Sequence, residues 1–378
     1  MLKHVSKDRF LRLNTGAEVF MFGSRQSYIN FLTSIKFDFS DYEKIRGRKR
    51  NIIISVGKSA DYMFRQFTEM FPETAFLPCF AVLPQGSEIH ALKTENVVFS
   101  THPHMSEASF EACEKLINFV KIQNPENVVV LLSGGSSALI EKSSDKNGTI
   151  LLNEKLLKSG LPITEINKAR SENSLVKNGK LAELFGKINF YVFVASDIPY
   201  PCGEKIVGSM PFFREDLEHT HLFKCASSDL LHDALLRQMP ENTESVRHFT
   251  GKVEKLAEVV IRHIDSGTEN LLVTGEPLLK IESKNPGCGG RMSHFALMMF
   301  PFLKKGMRLY AFSSDGIDGN SPFAGAVVEG GRISIPENEI KESLQNYNSA
   351  ELLNKFGFMV ESGYTGINLN DFVIFEYR

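Results

Sequence analysis

A chain of 378 residues is long enough to bury a large core and to divide into two domains or three. Apolar residues make up 42% and charged residues 23%, as in an ordinary soluble globular protein, and a net charge of −2 with both signs interspersed argues against nucleic-acid binding as the main business. Five scattered cysteines (Cys79, Cys113, Cys202, Cys225, Cys288), never spaced as Cys-x-x-Cys, suggest neither a zinc site nor a disulfide framework and point to a reducing cytoplasm. Met1–Phe10 lacks the apolar stretch of a secretory signal, and Ala296–Leu303 is far too short to span a bilayer.

Several segments share one grammar, a short apolar strand followed by a loop of Gly, Ser, Asp or Pro. The first, Asn51–Gly57, follows the basic run Arg46-Gly-Arg-Lys-Arg50, read as solvated charge at a strand entry. Ala108–Val120 has helical spacing. Val128–Ser137 opens as an unbroken aliphatic run, the mark of a strand buried on both faces, and then breaks into Ser133-Gly134-Gly135-Ser136-Ser137. Helical patterns over Glu154–Lys158 and Glu165–Arg170 precede the strand segment Phe190–Pro199. Phe213–Gly251 is weakly patterned and charged, and reads as the junction between domains 1–250 and 251–378. A helix over Val253–Ile264 leads to the strand segments Leu271–Pro277 and Leu309–Gly319. This alternation predicts an α/β fold with parallel sheets, whose functional residues gather at the carboxyl ends of strands.

The strand ends carry the candidate chemistry. The Ser133–Ser137 loop reads either as an ordinary βα turn or as an anion site built from backbone N–H groups. Lys58, beside Gly57 at a strand mouth, is either a phosphate-reaching point charge or a surface lysine at a helix start. Asp197 suits Mg²⁺ or general-base work, although aspartate also caps turns. Glu276, Asp315 and Asp318 repeat that pattern, and Asp315-Gly-Ile-Asp318 lacks the ligand run of an EF-hand. Pro286-Gly-Cys-Gly289-Gly290-Arg291 is a second glycine loop, ending in a guanidinium suited to carboxylate or phosphate. Arg170 and Lys177 add positive charge. His102 and His104 lie on a loop with no spaced partner for a metal. Acids on three strand ends, an anion loop and a lysine together make a parts list for Mg-assisted phosphoryl transfer. A dinucleotide fingerprint is absent, which weighs against a nicotinamide dehydrogenase.

Taken in order, these motifs resemble the glycerate 2-kinase family that ends in the MOFRL domain. Gly57-Lys-Ser-Ala60 stands for the family's Gly-Lys-Ala-Ala, Thr101-His-Pro103 for Gly-His-Pro, and Ser133-Gly-Gly-Ser-Ser-Ala-Leu139 for Ser-Gly-Gly-Gly-Ser-Ala-Leu. Leu156–Gly160, Glu165-Ile-Asn167 with Arg170, Gly287-Cys-Gly-Gly-Arg291, Asp315-Gly-Ile-Asp-Gly319, Ala324-Gly-Ala326 and Thr365-Gly-Ile-Asn-Leu-Asn-Asp371 extend the match. The resemblance implies an N-terminal Rossmann-like three-layer domain with a parallel sheet, a smaller C-terminal α/β domain with a mixed sheet, and a cleft between them. It implies transfer of phosphate from ATP, with Mg²⁺, to the 2-hydroxyl of D-glycerate or a related small hydroxy acid. Lys58, Arg291 and Asp197 would be catalytic; Ser133, Gly134, Gly135, Ser136, Ser137 and Lys177 would hold phosphate or nucleotide. Arg170, Glu276, Gly289 and Gly290 would bind substrate, and Asp197, Asp315 and Asp318 would hold metal. The partners are then a hydroxy acid and a nucleotide, with no nucleic acid and no membrane, and a homodimer is left open.

Departures from the family pattern cluster at these motifs. Ser136 replaces a glycine, Met292-Ser-His294 replaces Asn-Gln-Glu, Tyr200-Pro201 replaces Gly-Asp, and Asn178 replaces the glycine after Lys177. Ser209-Met-Pro-Phe212 replaces Ser-Gly-Pro-Thr, and the acid expected near Pro322-Phe323 is missing. They raise an alternative, a catalytically impaired relative that binds a nucleotide or sugar acid as a sensor or partner protein.

Overall fold

The computed structural model describes residues 25–92, 95–161, 163–198 and 203–378. The chain forms two compact units. One comprises Lys36–Ser227 with Gly366–Leu369; the other comprises Ser228–Thr365 and Asn370–Arg378 with the described residues up to Ile35.

The first unit is built on six strands, β1 (Asn51–Val56), β2 (Cys79–Pro84), β3 (Val97–Ser100), β4 (Asn127–Ser133), β5 (Asn189–Ala195) and β6 (Thr220–Ala226), in the order β3-β2-β1-β4-β5-β6. Every pairing is parallel. Parallel strands need crossovers that cover both faces, so every residue of β1 and of β4 is buried, as their unbroken apolar runs require. Ile54, Val56, Val130, Leu132 and Val192 from the sheet pack with Leu116 and Val120 of the helix Glu107–Gln123. Each such side chain contributes roughly 1.5–3 kcal/mol by leaving water. That helix starts where Ser106 accepts the Ala108 N–H and ends at Asn124 in the left-handed conformation. The strand order reverses between β1 and β4. Loops leaving these two strands run to opposite sides, and the crevice at their carboxyl ends is where such sheets bind ligands.

The second unit holds β7 (Glu244–Lys252), β8 (Asn270–Leu278), β9 (Met307–Ser313), β10 (Phe323–Glu329), β11 (Met359–Glu361) and β12 (Asp371–Tyr377), in the order β11-β10-β9-β12-β8-β7. Only β7 and β8 pair in parallel, so the sheet is mixed. The helices Val253–Asp265 and Arg291–Met299 cover it through Leu256, Val260, Phe295 and Met299.

The contact division at Ser228 precedes the junction expected near residue 250. The helix Ser228–Leu236 joins β8 through a His232–Thr274 hydrogen bond of 2.7 Å, and β7 pairs with β8, so this weakly patterned stretch belongs to the second sheet. β7 is an exposed edge strand carrying Glu244, Arg247, His248 and Lys252, which hides the strand pattern. Among the described residues no helix is long and apolar enough to cross a membrane.

Candidate active site

At the reversal point, Gly57 leaves β1 with φ +131°, and a Cβ there would lie 2.2 Å from Ser133 Oγ and 2.6 Å from the Ser133 carbonyl oxygen. Any side chain would part β1 from β4. The loops are then tied together: the Lys58 N–H donates to the Gly134 carbonyl at 2.9 Å, and the Ser59 N–H to Ser133 Oγ at 2.9 Å.

The glycines of the next loop allow three side chains to lie directly on its backbone. A Cβ at Gly134 would be 2.2 Å from Asp197 Oδ2; one at Gly135 would be 3.0 Å from His102 Cδ2 and 3.1 Å from Lys58 Cγ. Lys58 Nζ stands 3.9 Å from Asp197 Oδ2, each side chain about a fifth exposed, and Asn368 Nδ2 donates to the same Asp197 oxygen at 2.8 Å. Burial, then the charges of Lys58, His104 and Arg170, push the His102 pKa down to about 4, leaving a neutral imidazole near neutral pH. Arg170 donates from Nε to Asn153 Oδ1 at 3.0 Å and from a terminal nitrogen to Ser137 Oγ at 3.4 Å.

The loop's hydroxyls are turned to structural ends. Ser133 Oγ accepts from Ser59, and Ser137 Oγ pairs with Ser209 Oγ at 2.9 Å. Ser136 Oγ is buried without a hydrogen-bond partner and faces Gly208, where a Cβ would come within 1.6 Å of it. In contrast, the N–H groups of Gly134, Gly135, Ser136 and Ser137 have no acceptor among the described residues. A cluster of free amides beside a lysine is an anion-binding arrangement.

Lys177 is placed differently from its expected phosphate role. Its side chain is 1% exposed, and its ammonium donates to Glu141 at 2.7 Å and to the Ser137 carbonyl at 2.8 Å. The charge is neutralised inside the protein, so Lys177 holds the loop from beneath and is a positioning residue.

The second unit gathers another cluster. Arg291, the first residue of its helix, pairs with Glu276 at 2.9 Å and with buried Asp371. Burial works against the guanidinium charge, but the Asp371 and Glu276 carboxylates hold its pKa above the usual value. The metal role expected of Asp318 does not fit. Its side chain is buried, with Oδ1 accepting the Met292 N–H at 2.9 Å and Oδ2 the Ser293 N–H at 2.7 Å, so it caps the helix from outside. Gly290 has a packing reason to be glycine, since a Cβ there would lie 2.3 Å from Asp318 Oδ1. Gly290 is small so that Asp318 can approach, and Gly289 packs against Gly319 beside it. Asp315 folds its own turn, Oδ1 accepting from Ser313 Oγ and the Ile317 N–H, both at 3.1 Å. Among the described residues no group of three His, Cys, Asp or Glu side chains is placed to hold a metal ion.

The profile of a family described as Domain of unknown function (DUF4147) matches residues 27–235, and that of the MOFRL family matches residues 269–371. A glycerate 2-kinase of Sulfurisphaera tokodaii is 32% identical, over 86% of this chain and 89% of that protein. The chain belongs to the glycerate 2-kinase family. A D-glycerate 2-kinase of Thermotoga maritima is 25% identical over 86% of this chain and 90% of its own. The fold is that of a solved glycerate kinase from the same organism, with a TM-score of 0.79 and 21% identity over 93% of this chain and 98% of that one. Membership makes the chain a phosphotransferase.

Against that family background, several departures have structural explanations. Asn178 adopts φ +54°, a left-handed conformation that asparagine tolerates better than most residues. Met292 and Ser293 are fully buried and His294 nearly so, stacked on Tyr347; they complete the helix and core of their unit. Ser209 keeps a hydroxyl that bonds Ser137 and Asn167. Tyr200-Pro201 lies outside the described residues. The impaired-relative reading thereby loses much of its support.

The sequence carries no local sign of the partners of His102, Asn368, Glu141 and Asp371. His102 lies beside a proline with no spaced partner for a metal, and its neighbour Gly135 is distant in sequence. Asn368 and Asp371 sit inside the Thr365–Asp371 motif, which marked them as family residues without showing their partners.

Proposed function

We propose that this protein transfers the terminal phosphoryl group of ATP to the 2-hydroxyl of D-glycerate or a closely related small hydroxy acid, in the cytoplasm and with Mg²⁺. The observation that carries this reading is the convergence at one strand reversal of free loop amides, Lys58, Arg170 and the Asp197 carboxylate. Phosphoryl transfer asks little covalent chemistry of a protein; it asks for positioning and for charge neutralisation. The amides of Gly134 to Ser137 bind phosphate oxygens, and Lys58 follows the charge that develops on the transferring group. Asp197, held by Asn368, accepts the proton of the attacking hydroxyl or lends an oxygen to the metal.

The donor set fits Mg²⁺. This ion is held by one or two carboxylates together with substrate phosphates and water, so a complete protein cage is not needed. Asp197 has the hard oxygens for it; Asp315 enters through the family resemblance, and Asp318 has both oxygens occupied by backbone N–H groups. When bound, the ion neutralises charge on the phosphates. Arg291 enters this reading through the family resemblance alone.

ADP release measured with D-glycerate and a panel of small hydroxy acids tests the proposal, with the phosphate position assigned by ³¹P NMR. Magnesium-dependent turnover giving a 2-phosphate is expected. A folded chain that binds ATP and turns over none of the acids would end the kinase reading.

A further inference from the structure

His102 follows β3, the edge strand of its sheet, yet its ring lies on the loop after β4, three strands inward. Cδ2 and Nε2 sit 3.0 and 3.1 Å from the point a Gly135 Cβ would occupy, with Lys58 Cγ beside them. Neither ring nitrogen has a hydrogen-bond partner among the described residues, and the side chain is only half-buried. A polar ring parked against a glycine, open on one side and unpartnered, offers an N–H to whatever occupies the loop.

The surroundings specify the sign of that ligand. Lys58, Arg170 and His104 are the charged or titratable groups that act on the ring, and together with burial they keep it neutral. A neutral imidazole among cations can still donate to an anion, and it does so without adding further like charge to the cluster. We propose that His102 donates a hydrogen bond to an oxygen of the phosphoryl group held by the loop Ser133–Ser137. The inference rests on the kinase reading for the identity of that group, while the geometry alone assigns an anion.

Two substitutions separate this role from simple packing. His102→Phe keeps a flat ring over Gly135 and removes both nitrogens; His102→Gln keeps an N–H and loses the ring. The structure assigns a drop in kcat of roughly a hundred-fold to the Phe variant, the size seen when one donor to a developing oxyanion is removed. The thermal midpoint should stay unchanged, and Gln should recover most of the loss. Calorimetric titration with ATP, and separately with inorganic phosphate, should show weaker binding to His102→Phe than to the unaltered chain. A Phe variant within two-fold of the unaltered protein in kcat and in both binding titrations would overturn the inference, as would a Gln variant as impaired as Phe. Were the unaltered chain to bind ATP without phosphorylating any hydroxy acid, the kinase reading would fall; weakened ATP binding by His102→Phe would still support the phosphate contact.

Discussion

Lys177 and Glu141 illustrate how a charged residue that looks functional can serve the site from within. Each is 1% exposed, and the pair is linked to Ser174 and to the Ser137 carbonyl. Removing one partner strands a buried charge, which costs roughly 3–5 kcal/mol, whereas replacing both with apolar residues of similar size is often close to neutral. Lys177→Met should therefore lower the urea midpoint sharply, and Lys177→Met with Glu141→Leu should restore most of it. At Gly134 the outcome should be reversed: an added methyl meets the Asp197 carboxylate, so Gly134→Ala is expected to retain the fold and lose most of kcat. The placement of Lys58 and Asp197 at strand ends was legible because a residue next to a strand end has few places to go. Lys177 was misread because nothing in its neighbourhood of sequence announces a carboxylate 36 positions away, which the fold places 2.7 Å from it.

At the level of elements, the helix Arg291–Met299 depends on a cap supplied from elsewhere in the chain. Gly290, at its start, has no side chain to accept the first N–H groups, and Asp318 accepts two of them. Asp318→Ala should cost about 1–2 kcal/mol, as caps do, measured by denaturant unfolding. Because Arg291 is the helix's first residue, KM for the hydroxy acid should rise in the same variant if the family role of Arg291 holds. Central strands could be read from sequence: β1 and β4 are continuous apolar runs, and the helices Glu107–Gln123 and Val253–Asp265 show their period clearly. The edges resisted. β3 is four residues long with three of them half-buried or exposed, and β7 presents charge along its length, so neither carries the alternation that reveals a strand.

For the molecule as a whole, buried histidines set the response to acid. His232 is fully buried against Thr274, and burial, helped by Arg247 and opposed by Asp233 and Asp229, pushes its pKa down to about 4. The unfolded chain takes up a proton below about pH 6.5, while the folded chain resists until about pH 4, so stability is present above 6.5 and is lost as pH falls toward 4. The full effect for His232 is on the order of 3 kcal/mol. His102, His221 and His294 are shifted the same way, chiefly by burial. Asp371, raised by burial to about 7 against the pull of Arg291, works in the opposite direction. The clean measure is thus a difference: His232→Gln should lose less stability than the unaltered chain between pH 6.5 and pH 4.

The contact between Ser136 and Gly208 also constrains the order in which the two positions can change over time. While Ser136 keeps its hydroxyl, a methyl at position 208 would have to share space with it at 1.6 Å. Once position 136 loses its side chain, that steric barrier disappears, leaving only the backbone cost of a non-glycine residue at φ +57°. Gly208→Ala should unfold the chain or empty the loop on its own and be far milder in a Ser136→Gly background. Descendants of this sequence can therefore relinquish the serine first, but not the glycine.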